Sequence, residues 1–271
     1  MKTLYLTDLD GTLLRPDETV SAYTAQVLNK LIARGTYVSY ATARGIASAA
    51  PLLKDVQLQL PVIINNGTSI VDNATHRILH LEKFSPQEAA EIFGIFRGHG
   101  LFPICYAIIK GKNSFSFVKR ECGRAQWEFI LQRLDDGRAR EIFSDEHALD
   151  GEVFYFVSIH EKEKLVPVYE ALSNQYRCFF APDIYTGEYW LEVLPKTASK
   201  AAAAQRLKAM LGCDRIVCFG DAKNDIPMFE IADECYAVGN AVPELKEVAT
   251  AVIGTNTEDG VARFLEQRLL K

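Results

Sequence analysis

Short apolar runs alternate along the chain with stretches whose apolar positions recur every three or four residues. The first run, Thr3-Leu4-Tyr5-Leu6-Thr7, ends abruptly in Asp8-Leu9-Asp10-Gly11. Residues 20–34 then carry a helical period, with Ser21 placed to cap the start and Gly35 to end it. Residues 36–41 are β-branched and aromatic, which predicts a strand running into Thr42-Ala43-Arg44-Gly45. A small-residue helix is expected from Ile46 to about Lys54, kinked by Pro51 or starting there. Residues 61–64 read as a buried strand ending in Asn65-Asn66-Gly67. Residues 69–71 and 77–81 flank a polar turn and predict a hairpin.

The pattern changes near Lys83. Ser85-Pro86-Gln87-Glu88 is a capping box with proline at the first helical position. Beyond it, expected strands at 102–109, 114–118, 153–159 and 177–181 are interleaved with helical stretches at 124–134 and 162–176. The connection around Gly111 is too short for a crossover, so its strands pair antiparallel. Residues 83–187 are therefore read as an inserted α+β unit. The first pattern resumes with a strand at 189–194, an Ala-rich helix at 200–211 closed by Gly212, and a strand at 215–219 ending in Gly220-Asp221. Helix, strand, helix, strand and helix complete the chain at 226–232, 235–239, 243–249, 251–254 and 258–269. Strands alternating with helices predict βαβ units and a parallel sheet, hence an α/β core.

Composition bounds the function. The chain has 271 residues, 48% hydrophobic and 24% charged, with net charge −5. That suits one large or two modest domains and disfavours nucleic acid as a partner. No apolar stretch reaches the length of a membrane span, and the N-terminal residues lack a secretory pattern, so a cytoplasmic protein is expected. The six cysteines show neither a C-x-x-C pair nor zinc-ligand spacing and read as free thiols. The five histidines form no metal pair, and no P-loop or dinucleotide glycine motif is present. The aromatics Phe154, Tyr155, Phe156, Phe179 and Phe180 read as core of the insert.

The chemistry gathers at strand ends. Asp8 and Asp10 follow the first strand, Thr42 follows the second, and Asp221, Asn224 and Asp225 follow the strand at 215–219. Parallel neighbours would bring these groups to one edge of the sheet, where ligands of open α/β sheets bind. Lys200, at the start of its helix, can join them; Lys196 is the alternative. Clustered carboxylates need a proton or a cation, and hard oxygen ligands suit Mg²⁺. A metal, an ammonium and a hydroxyl converging on one point describe a phosphoryl site.

At these residues the chain resembles the haloacid dehalogenase-like phosphatases. Asp8-Leu9-Asp10-Gly11-Thr12-Leu13-Leu14 looks like their first motif, Thr42 in Ala-Thr-Ala-Arg the second, Lys200 the third, and Gly220-Asp221-x-x-Asn224-Asp225 the fourth. Asn66-Gly67, Gly239-Asn240-Ala241 and Glu258-Asp259-Gly260-Val261-Ala262 resemble the Cof-type subgroup. One departure is Ala43, where the family usually shows glycine.

The resemblance implies a Rossmann-like catalytic core of residues 1–82 and 188–271. The insert at 83–187 would be a cap that closes over the substrate and selects it. Tyr185-Thr186-Gly187-Glu188, for its glycine, reads as the hinge back to the core or as an ordinary turn. The resemblance further implies that Asp8 is the nucleophile and forms an aspartyl phosphate, and that Asp10 is the general acid and base. Asp8, the Asp10 main-chain carbonyl and Asp221 would hold Mg²⁺. Thr42, Lys200, Asn224 and the N–H groups of Leu9 and Ala43 would hold the phosphate. Arg44 would contact substrate or form an ion pair, and Asp225 would orient its neighbours. The activity implied is hydrolysis of small phosphorylated metabolites, sugar phosphates or similar monoesters. A monomer or weak homodimer is the expectation for a chain with its own cap. A sugar phosphomutase and a non-catalytic binding protein on the same fold are the alternatives.

Overall fold

A computed structural model describes residues 1–182 and 187–270. The chain forms two compact units, Met1–Leu81 with Ser199–Lys271, and Glu82–Ala198. Each has its own apolar core.

The first unit is built on a five-stranded parallel sheet in the order Ala251–Val252, Glu234–Ala237, Arg215–Gly220, Thr3–Thr7, Tyr37–Tyr40. Thr3–Thr7 lies inside this sheet, and its Leu4 and Leu6 are fully buried. A parallel strand covered on both faces needs a continuous apolar run rather than alternation, which is why this short stretch reads as it does. Its neighbours run the same way, so Thr7 is level with Phe219 on one side and with Tyr40 on the other. The carboxyl ends of three strands therefore lie side by side.

Helix Ala22–Ala33 buries Thr24, Ala25, Val27, Leu28 and Leu31, a helical stripe, and Ser21 caps it by accepting the Thr24 N–H at 2.9 Å. It packs against helix Gly260–Leu269, while Lys200–Leu211 packs against Ile226–Ile231. Gly212, in the left-handed conformation, ends Lys200–Leu211 as expected. A parallel bridge from Ala41 to Ile63 joins the large sheet to an antiparallel sheet of Val62–Ile64, Ser69–Val71 and Ile78–Leu81. The last two of these strands are the expected hairpin.

The second unit is a six-stranded sheet in the order Arg177–Pro182, Tyr189–Leu194, Glu152–His160, Ile104–Ile109, Lys112–Phe117, Ala139–Glu141. All pairs are antiparallel except the last. The Ser85–Glu88 capping box opens helix Pro86–Gly98. Phe154, Tyr155 and Phe156 are buried, whereas Phe179 and Phe180 are half-buried.

Strand Tyr189–Leu194 corrects the expected boundary. The sequence pattern places the return to the parallel core at residue 188, but this strand pairs antiparallel with Glu152–His160 and Arg177–Pro182. The core resumes only at Ser199, and the insert begins at Glu82. Tyr185 and Thr186 of the expected hinge lie outside the described residues; Gly187 has φ +76°. Among the described residues, no helix is long and apolar enough to cross a membrane.

Candidate active site

Every expected site residue belongs to the first unit. Asp8 follows the strand Thr3–Thr7 directly and is buried, 5% exposed, with its N–H donating to the Phe219 carbonyl at 2.9 Å. That bond continues the parallel ladder by one step and fixes where the carboxylate emerges. Leu9 turns its side chain into the core. At Gly11 the chain turns with φ +74°, and a Cβ built there would lie 2.3 Å from Asp221 Oδ2. Only glycine allows the turn to approach that carboxylate so closely. Thr12 donates its hydroxyl to Asp221 Oδ1 at 2.9 Å.

The far side of this turn is held by two asparagines. Asn240 donates its amide to the Gly11 carbonyl at 2.7 Å, and its Oδ1 accepts the Asn256 N–H at 3.0 Å. Asn256 in turn donates to the Leu14 carbonyl at 2.9 Å. Both turn carbonyls are thus fixed by side chains from far along the chain.

Lys200 opens helix Lys200–Leu211 and is 2% exposed. Its Nζ lies 2.7 Å from Asp8 Oδ1 and 2.8 Å from Asp225 Oδ1. Its placement depends on the loop Asn65–Gly67, whose three residues all have positive φ. A Cβ on Gly67 would sit 2.2 Å from the Ser199 carbonyl oxygen, so glycine lets the loop lie against the start of the helix. Lys196, the alternative, is exposed and belongs to the other unit.

Asp225 is fully buried, and its second oxygen accepts the N–H groups of Asp221 and Ala222 at 3.1 and 3.2 Å. These bonds tie the Asp225 carboxylate to the turn at Asp221 and Ala222 as well as to Lys200. Asp8, Asp221 and Asp225 each bring a carboxylate oxygen into a cluster whose members lie within 4.8 Å of one another. Three acidic groups at that spacing, with oxygen donors only, suit a hard divalent cation.

The protonation balance has the same origin. Burial pushes the Asp8 carboxyl well above the usual carboxylate range; Lys200 opposes this, and Asp225 and Asp221 add to it. Burial, with Asp225 also raising it, pushes Asp221 up to about 6, against the lowering effect of the Thr12 hydrogen bond. Burial alone would lower the Lys200 ammonium, but Asp225 and Asp8 outweigh it and hold it charged.

Thr42 is fully buried just beyond Tyr37–Tyr40, with its N–H on the Ile63 carbonyl at 3.0 Å. Its hydroxyl oxygen accepts the Arg44 N–H at 3.1 Å, and Ala43 between them is exposed. Asn224 is half-buried and donates to Asn66 Oδ1 at 3.4 Å. Asp10 stands apart from the acidic cluster. Its carboxylate is gripped by Arg44, with Nε at 2.8 Å from one oxygen and Nη2 at 2.6 Å from the other. Arg44 Nη2 also reaches Glu18 Oε1 at 2.8 Å. The ion pair expected as one option for Arg44 is therefore present.

Several participants were not legible beforehand. Thr12 lies inside the first motif, but nothing around it signals its bond to Asp221, and Glu18 carries no signal at all. Asn66 stands at the end of an expected strand and Asn240 in a segment that resembles the Cof-type subgroup, and neither position signals its bond.

The chain is similar to known proteins over nearly its whole length. A family profile described as haloacid dehalogenase-like hydrolase matches residues 5–265. The 5-amino-6-(5-phospho-D-ribitylamino)uracil phosphatase YitU of Bacillus subtilis is 26% identical, over 96% of this chain and 95% of its own. An HMP-PP phosphatase of Cronobacter sakazakii is 29% identical, over 95% of this chain and 92% of its own. A haloacid dehalogenase-like hydrolase from Bacteroides thetaiotaomicron shares the fold, with TM-score 0.79 and 21% identity over 99% of this chain and 100% of that one. With the profile spanning nearly its whole length, this chain belongs to the haloacid dehalogenase-like hydrolases and is a phosphatase of that family.

Proposed function

We propose that the protein is a cytoplasmic, Mg²⁺-dependent phosphatase that hydrolyses small phosphorylated metabolites, sugar phosphates or similar monoesters, through a phosphoryl group carried by Asp8. The observation that carries this reading is the buried Asp8 carboxylate. Its Oδ1 lies 2.7 Å from the Lys200 ammonium, and Asp8 shares a cluster with Asp221 and Asp225. A nucleophilic carboxylate must be ionised to attack; burial works against this at Asp8, the Lys200 ammonium opposes burial, and a bound cation would add to that opposition.

The fit to Mg²⁺ rests on the donor set, which is all oxygen, acidic and closely spaced. Asp8, Asp221 and the Asp10 main-chain carbonyl would hold the ion. When bound, Mg²⁺ would neutralise carboxylate charge and draw electron density from the phosphoryl oxygens.

The remaining chemistry belongs to the chain. Lys200, the Thr42 hydroxyl, the Asn224 amide and the N–H groups of Leu9 and Ala43 would bind the transferring phosphoryl oxygens. An Asp8 oxygen attacks phosphorus as the bond to the ester oxygen breaks, and Asp10, protonated on an oxygen released from Arg44, gives the ester oxygen its proton. Asp10 then takes a proton from the water that cleaves the aspartyl phosphate, returning Asp8 and releasing phosphate.

The relatives' names support a small phosphorylated metabolite as substrate, since one acts on a phosphoribitylamino-uracil and another on HMP-PP. The insert Glu82–Ala198 is read as the specificity unit. None of the six cysteines is in a disulfide, which fits a reducing compartment. The test is phosphate release from a panel of sugar, polyol and nucleoside monophosphates, with Mg²⁺ and after chelation. Turnover of some members, abolished by chelation and restored by Mg²⁺, is expected. Isomerisation of a hexose phosphate without phosphate release would replace hydrolysis by transfer, and turnover indifferent to chelation would remove the metal.

A further inference from the structure

The geometry points to Glu18 as a positioning residue for proton transfer, acting on Asp10 through Arg44. Three observations within the first unit carry this. First, Arg44 is shared between two carboxylates, with Nε and Nη2 on the two Asp10 oxygens and Nη2 also 2.8 Å from Glu18 Oε1. A guanidinium is a rigid planar fork, so the direction of its second partner sets the plane it presents to the first. Second, Asp10 is not packed in place. Its side chain is 47% exposed and Arg44 only 22%, so the fork, rather than surrounding core, determines where the Asp10 carboxylate points.

Third, Glu18 is held in a costly conformation. Its φ is +60°, a left-handed backbone that non-glycine residues rarely adopt. The turn that imposes this is closed at both ends. The Arg15 N–H donates to the Thr19 carbonyl at 2.9 Å, and the Glu18 N–H donates to the Arg15 carbonyl at 2.9 Å. Asp17 adds an acceptor for the Thr19 N–H at 3.1 Å. Glycine would relieve the backbone, but it would leave Arg44 without its second carboxylate.

The inference rests on the reading of Asp10 as proton donor to the leaving oxygen. Misdirecting that carboxylate should slow esters whose leaving oxygen needs a proton, such as alkyl phosphates. It should matter little for p-nitrophenyl phosphate, whose leaving group departs as the anion. Glu18 is 55% exposed, so replacing it leaves the core intact.

The experiment measures kcat and KM of wild type, Glu18→Ala, Glu18→Gln, Arg44→Ala, the Glu18→Ala/Arg44→Ala double variant and Asp10→Asn on both ester types, with the melting temperature of each. Glu18→Ala is expected to lower kcat on an alkyl phosphate about fivefold to tenfold, the worth of one hydrogen bond at a solvent-exposed position. On p-nitrophenyl phosphate the loss should be less than about twofold, as proton donation contributes little there. Glu18→Gln, which keeps an acceptor, should fall between wild type and Glu18→Ala. Glu18→Ala should have no further effect in the Arg44→Ala background, because it acts only through that residue.

Asp10→Asn separates the two failures. If its loss does not depend on the leaving group, the reading of Asp10 is wrong. If Asp10→Asn shows that dependence and Glu18→Ala does not, or if Glu18 and Arg44 are additive, the assignment of Glu18 is overturned.

Discussion

The Lys200 ammonium lies 2.7 Å from the Asp8 carboxylate in a site where Lys200 is 2% and Asp8 5% exposed. The lysine compensates two buried acids at once, since Asp225 is its other partner at 2.8 Å. Removing one member of a buried charged set leaves the others unpaired and costs about 3 to 5 kcal/mol. Lys200→Ala is therefore expected to lose activity and to unfold earlier in urea by that amount, measured without added metal. Because the destabilisation comes from repulsion between Asp8 and Asp225, Lys200→Ala/Asp225→Asn should recover part of the stability while remaining inactive.

The acidic cluster also gives a pH signature. The Asp8 and Asp221 carboxyls are raised in the folded protein, Asp221 to about 6. A carboxyl that holds its proton more tightly folded than unfolded makes the folded state bind more protons, so its stabilising contribution falls as pH rises. For Asp221 that loss runs from the ordinary carboxylate range up through about 6. A cation that needs the ionised carboxylates competes with those protons. Thermal unfolding should thus show a larger Mg²⁺-induced rise at pH 7.5 than at pH 5. At a hundred times Kd the full effect is about 2.7 kcal/mol. An equal rise at both pH values would argue against these carboxylates as the binding groups.

Two glycines with similar backbone angles should respond differently to alanine. Gly11 and Gly35 have φ of +74° and +81°, but only at Gly11 would a Cβ strike a neighbour, Asp221. Gly35→Ala is expected to cost about 1 kcal/mol of stability, from the left-handed backbone alone, with turnover intact. Gly11→Ala should lower kcat by more than about tenfold, equivalent to about 1.4 kcal/mol of transition-state stabilisation, and should raise the Mg²⁺ concentration needed for half-maximal rate.

Asn240 offers a subtler probe of the same turn. Asn240→Asp keeps an acceptor for the Asn256 N–H but replaces the donor to the Gly11 carbonyl with a second oxygen. Asn240 is exposed, so stability should fall by about 0.5 to 1.5 kcal/mol, the worth of one hydrogen bond lost where water can replace it. Asn240→Ala should be active at a reduced kcat, as the turn loses its tether without gaining a repulsion. Equal kcat in wild type and both variants would show that the tether is irrelevant to the site.

Much of this site was legible because its residues sit where strands end. Asp8, Thr42 and Asp221 each follow a run whose apolar character marks a buried parallel strand, and parallel neighbours bring such ends together. Lys200 was legible from its place at a helix start. Strand 189–194 lies in a sheet other than the expected one for a physical reason: an apolar strand declares its buried face, not its partner. Glu18 was invisible because an exposed acid in a polar turn looks like solvated surface; only the fold brings it to Arg44. The Asn240–Gly11 bond spans 229 positions, and nothing local at either end signals it.

The central claim is that Asp8 attacks the phosphorus. It is tested most directly by phosphate release from the best ester of the panel, comparing wild type with Asp8→Asn at saturating Mg²⁺. Asparagine keeps the shape and one carbonyl oxygen but removes the charged nucleophile. The expected result is a folded Asp8→Asn protein whose turnover is at background. An Asp8→Asn protein that releases phosphate at the wild-type rate would contradict the mechanism outright.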